Sequence, residues 1–277
     1  MMMSLTLKLS TALVATTLLA NAEFNLEEYV KKDLIKNPQI KVNGVELLEK
    51  RDTNASKDWK AYMFLMNLKV KGKDSNYPET VFVNEKAGLV SMSLYDLKSH
   101  KQVGKNFRPA IGEDYYNDAH LIAGIKDAKH KLVVFSDPMC PFCQQNVPTI
   151  YKTVKENPDT FALYYYHMPL LRIHPVSDVL TRAMEVLQKQ GKFDEAIKMY
   201  ALNIPISEKV PKKILAAIKK QFNIDISQEQ IDAPDIKEAI KNDTDKATRV
   251  MLKGTPTVYI DGKYDPEVTS YKKLLKK

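Results

Sequence analysis

The stretch FSDPMCPFCQQ, residues 135–145, holds both cysteines of this 277-residue chain, Cys140 and Cys143. Two thiols separated by two residues can form half of a metal site, a small structural disulfide, or a pair that exchanges disulfides with other thiols. Three features distinguish these uses: the residues around the pair, and the numbers of cysteines and of histidines in the whole chain.

The first two uses are disfavoured. A closed zinc site needs four nitrogen or sulfur ligands, and the five histidines include no pair at i, i+3 or i+4 that would add two more. A structural disulfide stabilises more when it closes a long loop, whereas Cys140 and Cys143 enclose only Pro141 and Phe142. Neither use is excluded, but the exchanging pair is favoured, and it needs no metal and no cofactor.

The flanking residues predict a strand before the pair and a helix after it. KLVVF, residues 131–135, is a short β-branched apolar run typical of a buried strand, and apolar residues recur at helical spacing after Cys143. The free N–H groups and the dipole at a helix start favour negative charge. Cys140 is therefore expected to be the nucleophilic thiolate and Cys143, one turn later, the resolving thiol. A thiolate of low pKa is also a good leaving group, so the disulfide form is expected to be oxidising.

The start of the chain and its charge indicate where the protein works. Residues 1–22 carry a single charge and an apolar run, and they close with Ala20-Asn21-Ala22, the small-x-small pattern of a signal peptidase site. We expect an exported, periplasmic protein that begins near Glu23, with an uncleaved membrane anchor as the alternative. The net charge of +8 comes from lysines spread along the chain without a basic stripe, which argues against nucleic-acid binding.

Three further segments follow the predicted signal peptide. Residues 23–105 predict a small α+β domain, with one helix and a few antiparallel strands. Residues 106–128 predict a helix that links two domains. Residues 129–277 predict an α/β domain in which a helical insertion, about residues 176–253, separates two groups of strands.

The motif and its surroundings resemble a known family. Strand–DPMCPFC–helix resembles the thioredoxin fold, and FSDPMCPFCQQ looks like the periplasmic thiol:disulfide interchange proteins of the DsbC/DsbG type. Pro148 lies where thioredoxin-like helices often carry a kinking proline, and Gly254-Thr255-Pro256 precedes the strand TVYID as the family's cis-proline loop does. The predicted segments match that family's layout of dimerisation domain, linker helix and catalytic domain.

The resemblance implies roles for particular residues. Pro256 would be in cis and would face Cys140, while Thr255 would offer its backbone to an extended substrate chain. Pro141 and Phe142, between the cysteines, would shape the redox potential or contact substrate.

Four other residues near the motif have less definite expectations. Asp137 either caps the active-site helix or forms a turn with Pro138, and the turn is favoured. His167 and His174 are expected in loops or at the surface. Val134 occupies the position at which thioredoxin-like strands often bury an acid that assists proton transfer, so another group or water must do this here.

The leading functional hypothesis is a thiol–disulfide oxidoreductase or disulfide isomerase that acts on unfolded or misoxidised exported proteins. The resemblance implies a homodimer through residues 23–105 and a membrane redox partner, either a DsbD-like reductant or a DsbB-like oxidant. Two alternatives stay open: a DsbA-like dithiol oxidase, and a chaperone-type binding module whose cysteines are incidental.

Overall fold

A computed structural model describes residues 24–53 and 56–275 of the chain. The predicted signal peptide, residues 1–22, lies outside the described residues. Within the described part of the chain, no helix is both long enough and apolar enough to span a bilayer.

The first unit is an antiparallel sheet covered by a short helix. Helix α1 spans Leu26–Tyr29 and continues as a wider π turn over Val30–Leu34. The strands are β1 (Ile40–Thr53), β2 (Ser56–Val70), β3 (Lys73–Asn84) and β4 (Leu89–Ser91), paired in that order. Alternate residues of β2 pack against Val30 and its neighbours, because successive side chains of a strand point to opposite faces. A small hairpin, β5 (Tyr95–Asp96) and β6 (Lys101–Gln102), follows.

The second unit is built on a five-stranded mixed sheet. Its strands are β7 (Leu121–Ala123), β8 (His130–Ser136), β9 (Phe161–His167), β10 (Thr257–Ile260) and β11 (Lys263–Asp265). The spatial order is β11-β10-β8-β9-β7, and only β8 and β9 run parallel. Strand β8 is central and buried, as its continuous apolar run predicts.

Helices cover both faces of this sheet. They are α2 (Pro141–Glu156), α3 (Ser177–Lys189), α4 (Phe193–Ala196), α5 (Pro211–Phe222), α6 (Gln228–Asp232) and α7 (Pro234–Arg249). Helices α2 to α6 enclose the larger core with Leu132 and Val134 of β8, while the end of α7 packs on the opposite face. The helices from α3 to α7 form the predicted insertion between β9 and β10, and the second unit is therefore an α/β fold with a helical insertion.

The predicted linker helix at residues 106–128 is wrong. That segment holds a single 3-10 turn, Glu113–Tyr115, and then strand β7. Gly124 has φ +78°, and a Cβ at this position would lie 1.8 Å from the carbonyl oxygen of Phe161. The chain thus passes against β9 in a left-handed conformation that no helix interior contains. The second unit accordingly begins before residue 129, because β7 is one of its strands.

The two units touch beside the loop that leads to β10. The Arg249 guanidinium donates to both carboxylate oxygens of Glu46, at 2.8 and 2.5 Å. The Thr80 hydroxyl lies 3.9 Å from the sulfur of Met251. The first unit therefore contacts the chain only a few residues before Thr255 and Pro256.

Candidate active site

The turn before the cysteines is organised by a buried carboxylate. Asp137 has no exposed surface, its carbonyl oxygen accepts from the Cys140 N–H at 3.1 Å, and its Oδ1 accepts from the Met139 N–H at 2.8 Å. The favoured interpretation of Asp137 as a turn residue is therefore confirmed. The side chain does not cap the helix, because Cys140 itself is the N-cap residue of α2.

The same carboxylate also holds the loop that follows β9. Asp137 Oδ2 accepts from the Leu170 N–H at 2.7 Å and from His174 Nδ1 at 3.0 Å, and Oδ1 accepts from the Ser177 hydroxyl at 2.6 Å. His174 lies in the loop between β9 and α3, as expected, but its side chain is buried, and His167 is the last residue of β9 and is also buried, so the expectation is wrong for His167. His174 can be buried because its ring nitrogen has a hydrogen-bond partner in Asp137.

Cys140 has the surroundings that favour a nucleophilic thiolate. It lies at the N-terminus of α2, both cysteines are free thiols, and its side chain is buried apart from one edge. A hydrogen bond from the Cys143 thiol lowers the pKa of Cys140 to about 5, with further help from Thr255 and from the N–H groups of Cys143 and Phe142. Burial opposes this shift. At neutral pH Cys140 is therefore a thiolate.

Cys143 has the opposite properties. It has no exposed surface, and burial raises the pKa of its thiol far above the usual range, as does the neighbouring Cys140. A substrate sulfur cannot reach it directly. Cys143 can react only through Cys140, which is the behaviour required of a resolving thiol.

The Thr255–Pro256 loop lies beside the cysteines, as the resemblance implies. The peptide bond between the two residues is cis. The Cys140 sulfur lies 3.2 Å from the Thr255 carbonyl oxygen, which accepts from the thiol when Cys140 is protonated. Strand β10 then pairs with β8 from Thr257 opposite Phe135. The Thr255 hydroxyl is buried and has no hydrogen-bond partner among the residues that the structure describes, and the Thr255 side chain lowers the pKa of Cys140.

The dipeptide between the cysteines presents one apolar group to solvent. Pro141 is the first residue of α2, where its missing N–H costs no hydrogen bond. The Phe142 side chain is 68% exposed, although it lies next to two buried sulfurs. It is therefore placed to contact whatever approaches Cys140.

A cluster of buried hydroxyl groups that the sequence does not predict lies next to Cys143. The Ser136 and Tyr200 hydroxyls are 2.6 Å apart, and the Tyr165 and Tyr200 hydroxyls are 2.7 Å apart. Tyr200 comes from a 3-10 turn of the insertion, Ile197–Ala201, far from the motif in sequence. Its position depends on long-range packing, so no local pattern identifies it.

The chain is similar to a known protein family over its second unit. A family model described as thioredoxin matches residues 117–277, which includes both cysteines and the Thr255–Pro256 loop. The chain belongs to the thioredoxin family. The match begins just before β7, in agreement with the start of the second unit.

Known proteins similar to this thioredoxin-family chain fall into two groups. The probable disulfide bond formation protein D of Bacillus cereus is 29% identical over 168 residues, which cover 56% of this chain and 76% of that protein. The Na(+)/H(+) antiporter NhaA 1 of a Mycobacterium species (strain KMS) is 30% identical over 146 residues, but these are only 23% of that protein. Among solved structures, a thioredoxin-like oxidoreductase from Silicibacter pomeroyi is 21% identical and has a TM-score of 0.49, covering 60% of this chain and 95% of that one.

The arrangement can perform one kind of chemistry. The site combines a thiolate of low pKa, a buried partner thiol one turn away and a backbone carbonyl beside them. These groups support the formation and resolution of a mixed disulfide. This thioredoxin-family protein is a thiol–disulfide oxidoreductase.

Proposed function

We propose that the protein introduces disulfides into exported proteins as a dithiol oxidase of the Dsb type. The observation that carries this proposal is the low pKa of Cys140, about 5. A stabilised thiolate favours the reduced form of the pair and makes Cys140 a good leaving group, so the disulfide form is oxidising. The name of the Bacillus cereus relative, a probable disulfide bond formation protein, agrees with this direction.

The surface around Cys140 suits an unfolded polypeptide as substrate. Leu171 and Ile173 are exposed on the loop that Asp137 holds, and Ile206 is exposed on a loop whose carbonyl accepts from the Val176 N–H at 3.1 Å. We propose that these side chains form, together with Phe142, an apolar border near the thiolate. Such a border binds exposed apolar segments, which unfolded chains offer and folded proteins hide.

The experiment starts from the oxidised protein and a reduced, unfolded protein substrate such as ribonuclease. Stoichiometric oxidase should regenerate disulfides in the substrate, Cys140→Ala should abolish the transfer, and Cys143→Ala should accumulate a mixed disulfide through Cys140. Phe142→Ala should weaken the capture of substrate, whereas Leu47→Ala, a substitution of an exposed leucine on the first unit, should not. Transfer by the Cys140→Ala variant would refute the proposal.

A disulfide isomerase is the second candidate, and the first unit favours it. Leu89, Met92, Tyr95 and Leu97 are exposed along one edge of that unit, and Leu97 is 87% exposed. We propose this edge as the contact of a homodimer, the arrangement expected of the DsbC/DsbG type, and light scattering on the intact protein tests it. The redox state of the cysteines in cells separates the candidates: a membrane oxidant holds an oxidase oxidised, and a membrane reductant holds an isomerase reduced.

A further inference from the structure

The resolving thiol of this site lacks the usual proton acceptor. Cys143 must become a thiolate, transiently, whenever a mixed disulfide is resolved or formed, and it is completely buried. Val134, on the strand beneath it, is also completely buried and offers no polar atom. Some other group must therefore stabilise a negative charge on the Cys143 sulfur, because an unsolvated buried charge is very costly.

The neighbouring acids are already occupied. Asp137 accepts four hydrogen bonds, from the groups described above, so its oxygens have no free capacity in this geometry. Glu185 of α3 faces His167, with 3.4 Å between Oε2 and Nε2, and His167 stands edge-on to the Tyr165 ring. This histidine–glutamate pair lies beyond the tyrosine rather than against the sulfur.

The hydroxyl cluster lies next to Cys143, as do the Thr255 side chain and the backbone of Asp137. Of these groups, the Ser136 hydroxyl lowers the pKa of Cys143 most against the effect of burial. Ser136, Tyr165 and Tyr200 are all buried and carry three O–H donors, but only two hydrogen bonds join them to one another. One donor is therefore left over, and Cys143 packs in the same buried cluster as Tyr165 and Tyr200.

We propose that Ser136 is a catalytic residue that donates a hydrogen bond to the Cys143 thiolate, and that Tyr200 and Tyr165 are positioning residues that hold its hydroxyl in the donating orientation. Donors fixed in a water-free site stabilise a transient charge without the cost of reorganising solvent. This inference rests on thiol–disulfide exchange at Cys140, but it applies to either direction of that exchange.

Resolution is the attack of Cys143 on the mixed disulfide between Cys140 and the substrate. The Cys143 thiol loses its proton, and its sulfur bonds to Cys140 Sγ while the bond between Cys140 and the substrate sulfur breaks. The substrate sulfur leaves with the electron pair and takes up the proton that Cys143 lost, so that no net proton is gained or released. In the reverse direction Cys143 is the leaving thiolate, and the same hydroxyl donor stabilises it.

The test uses the reduced full-length protein and the small disulfide 5,5′-dithiobis(2-nitrobenzoate), which releases one coloured thiolate as Cys140 attacks and a second as Cys143 resolves. Ser136→Ala and Tyr200→Phe should leave the first phase unchanged and slow the second about tenfold or more, the effect of losing one hydrogen bond to a charged group. The pH midpoint of the second phase should rise. Ser136→Thr, which keeps the hydroxyl, should restore the rate.

Tyr164→Phe is the matched control. The Tyr164 hydroxyl is buried without a hydrogen-bond partner, and its ring packs on the other face of β9. A second phase that stays within about twofold of the wild-type rate in both Ser136→Ala and Tyr200→Phe would overturn the inference, as would equal slowing of both phases in every folded variant. If the wild-type protein showed no first phase at all, the exchange activity itself would be refuted. That outcome differs from an unchanged second phase in the variants, so failure of the proposed function and failure of this inference are distinguishable.

Discussion

The titration of Cys140 is the sharpest consequence of the site. With a pKa of about 5, the thiolate fraction is about 9% at pH 4 and about 99% at pH 7. The rate of alkylation by iodoacetamide, which follows the thiolate, should therefore rise only about elevenfold between these pH values and then stay flat to pH 9. A cysteine with its ordinary pKa near 9 would show a rise of about a thousandfold over the same three pH units, and a further rise above pH 7.

Substitution of the partner thiol tests the cause of this shift. The hydrogen bond from Cys143 is the largest contribution to the low pKa of Cys140. Cys143→Ala should therefore raise the midpoint of alkylation by about one pH unit or more, since one lost hydrogen bond to a charged group is of that size. The midpoint should stay below the ordinary value, because Thr255 and the N–H groups at the start of α2 still act on the sulfur.

The measurement is the absorbance of the thiolate at 240 nm together with the alkylation rate, from pH 3 to pH 9, on the reduced protein. Cys140→Ala is the control, and it should show no titration below pH 9 because burial raises the pKa of Cys143. A wild-type midpoint above pH 8, or an unchanged midpoint in Cys143→Ala, would contradict the reasoning.

Two further predictions concern stability and are checked by urea unfolding. Gly124→Ala should lower the free energy of unfolding by about 3 kcal/mol or more, because the added Cβ meets the Phe161 carbonyl oxygen. Gly191→Ala has a similar positive φ but open space around it, and should cost only about 1 kcal/mol. Asp137→Ala should lower the free energy of unfolding by about 3 kcal/mol or more, since four donors lose a buried acceptor. Wild-type stability in either Gly124→Ala or Asp137→Ala would show that the corresponding contact is absent in solution.

The sequence predicts the parts of the site that depend on neighbours in the chain. The strand before Cys140, the helix after it and the different roles of the two thiols all follow from about a dozen consecutive residues. The resemblance adds the cis peptide bond before Pro256. The strand, the helix and the cis bond are local features, or belong to a motif whose parts have a constant arrangement, and the structure confirms these three. The roles of the two thiols stay predictions.

What the sequence does not predict depends on contacts between distant segments. The sequence predicts His174 in a loop or at the surface. It is buried because Asp137, 37 positions earlier, accepts a hydrogen bond from it. Tyr200 looks like one more apolar position in a helical block, and only the packing of the insertion on β8 brings its hydroxyl to Ser136. The linker helix fails for the same reason, since residues 106–128 satisfy a helical pattern but Gly124 is needed for close approach to β9.

Burial alone sets the order of events at this site. Cys140 keeps 6% of its surface exposed, whereas Cys143 has none, so a substrate sulfur must bond to Cys140 first in either direction of exchange. The two pKa shifts reinforce that order, because the accessible sulfur is the one that is ionised at neutral pH and the buried one holds its proton until the mixed disulfide has formed. The hydroxyl cluster then acts only on the second sulfur. A change confined to Ser136 or Tyr200 should therefore alter how long a substrate stays bound through its disulfide, and leave the first attack unaltered.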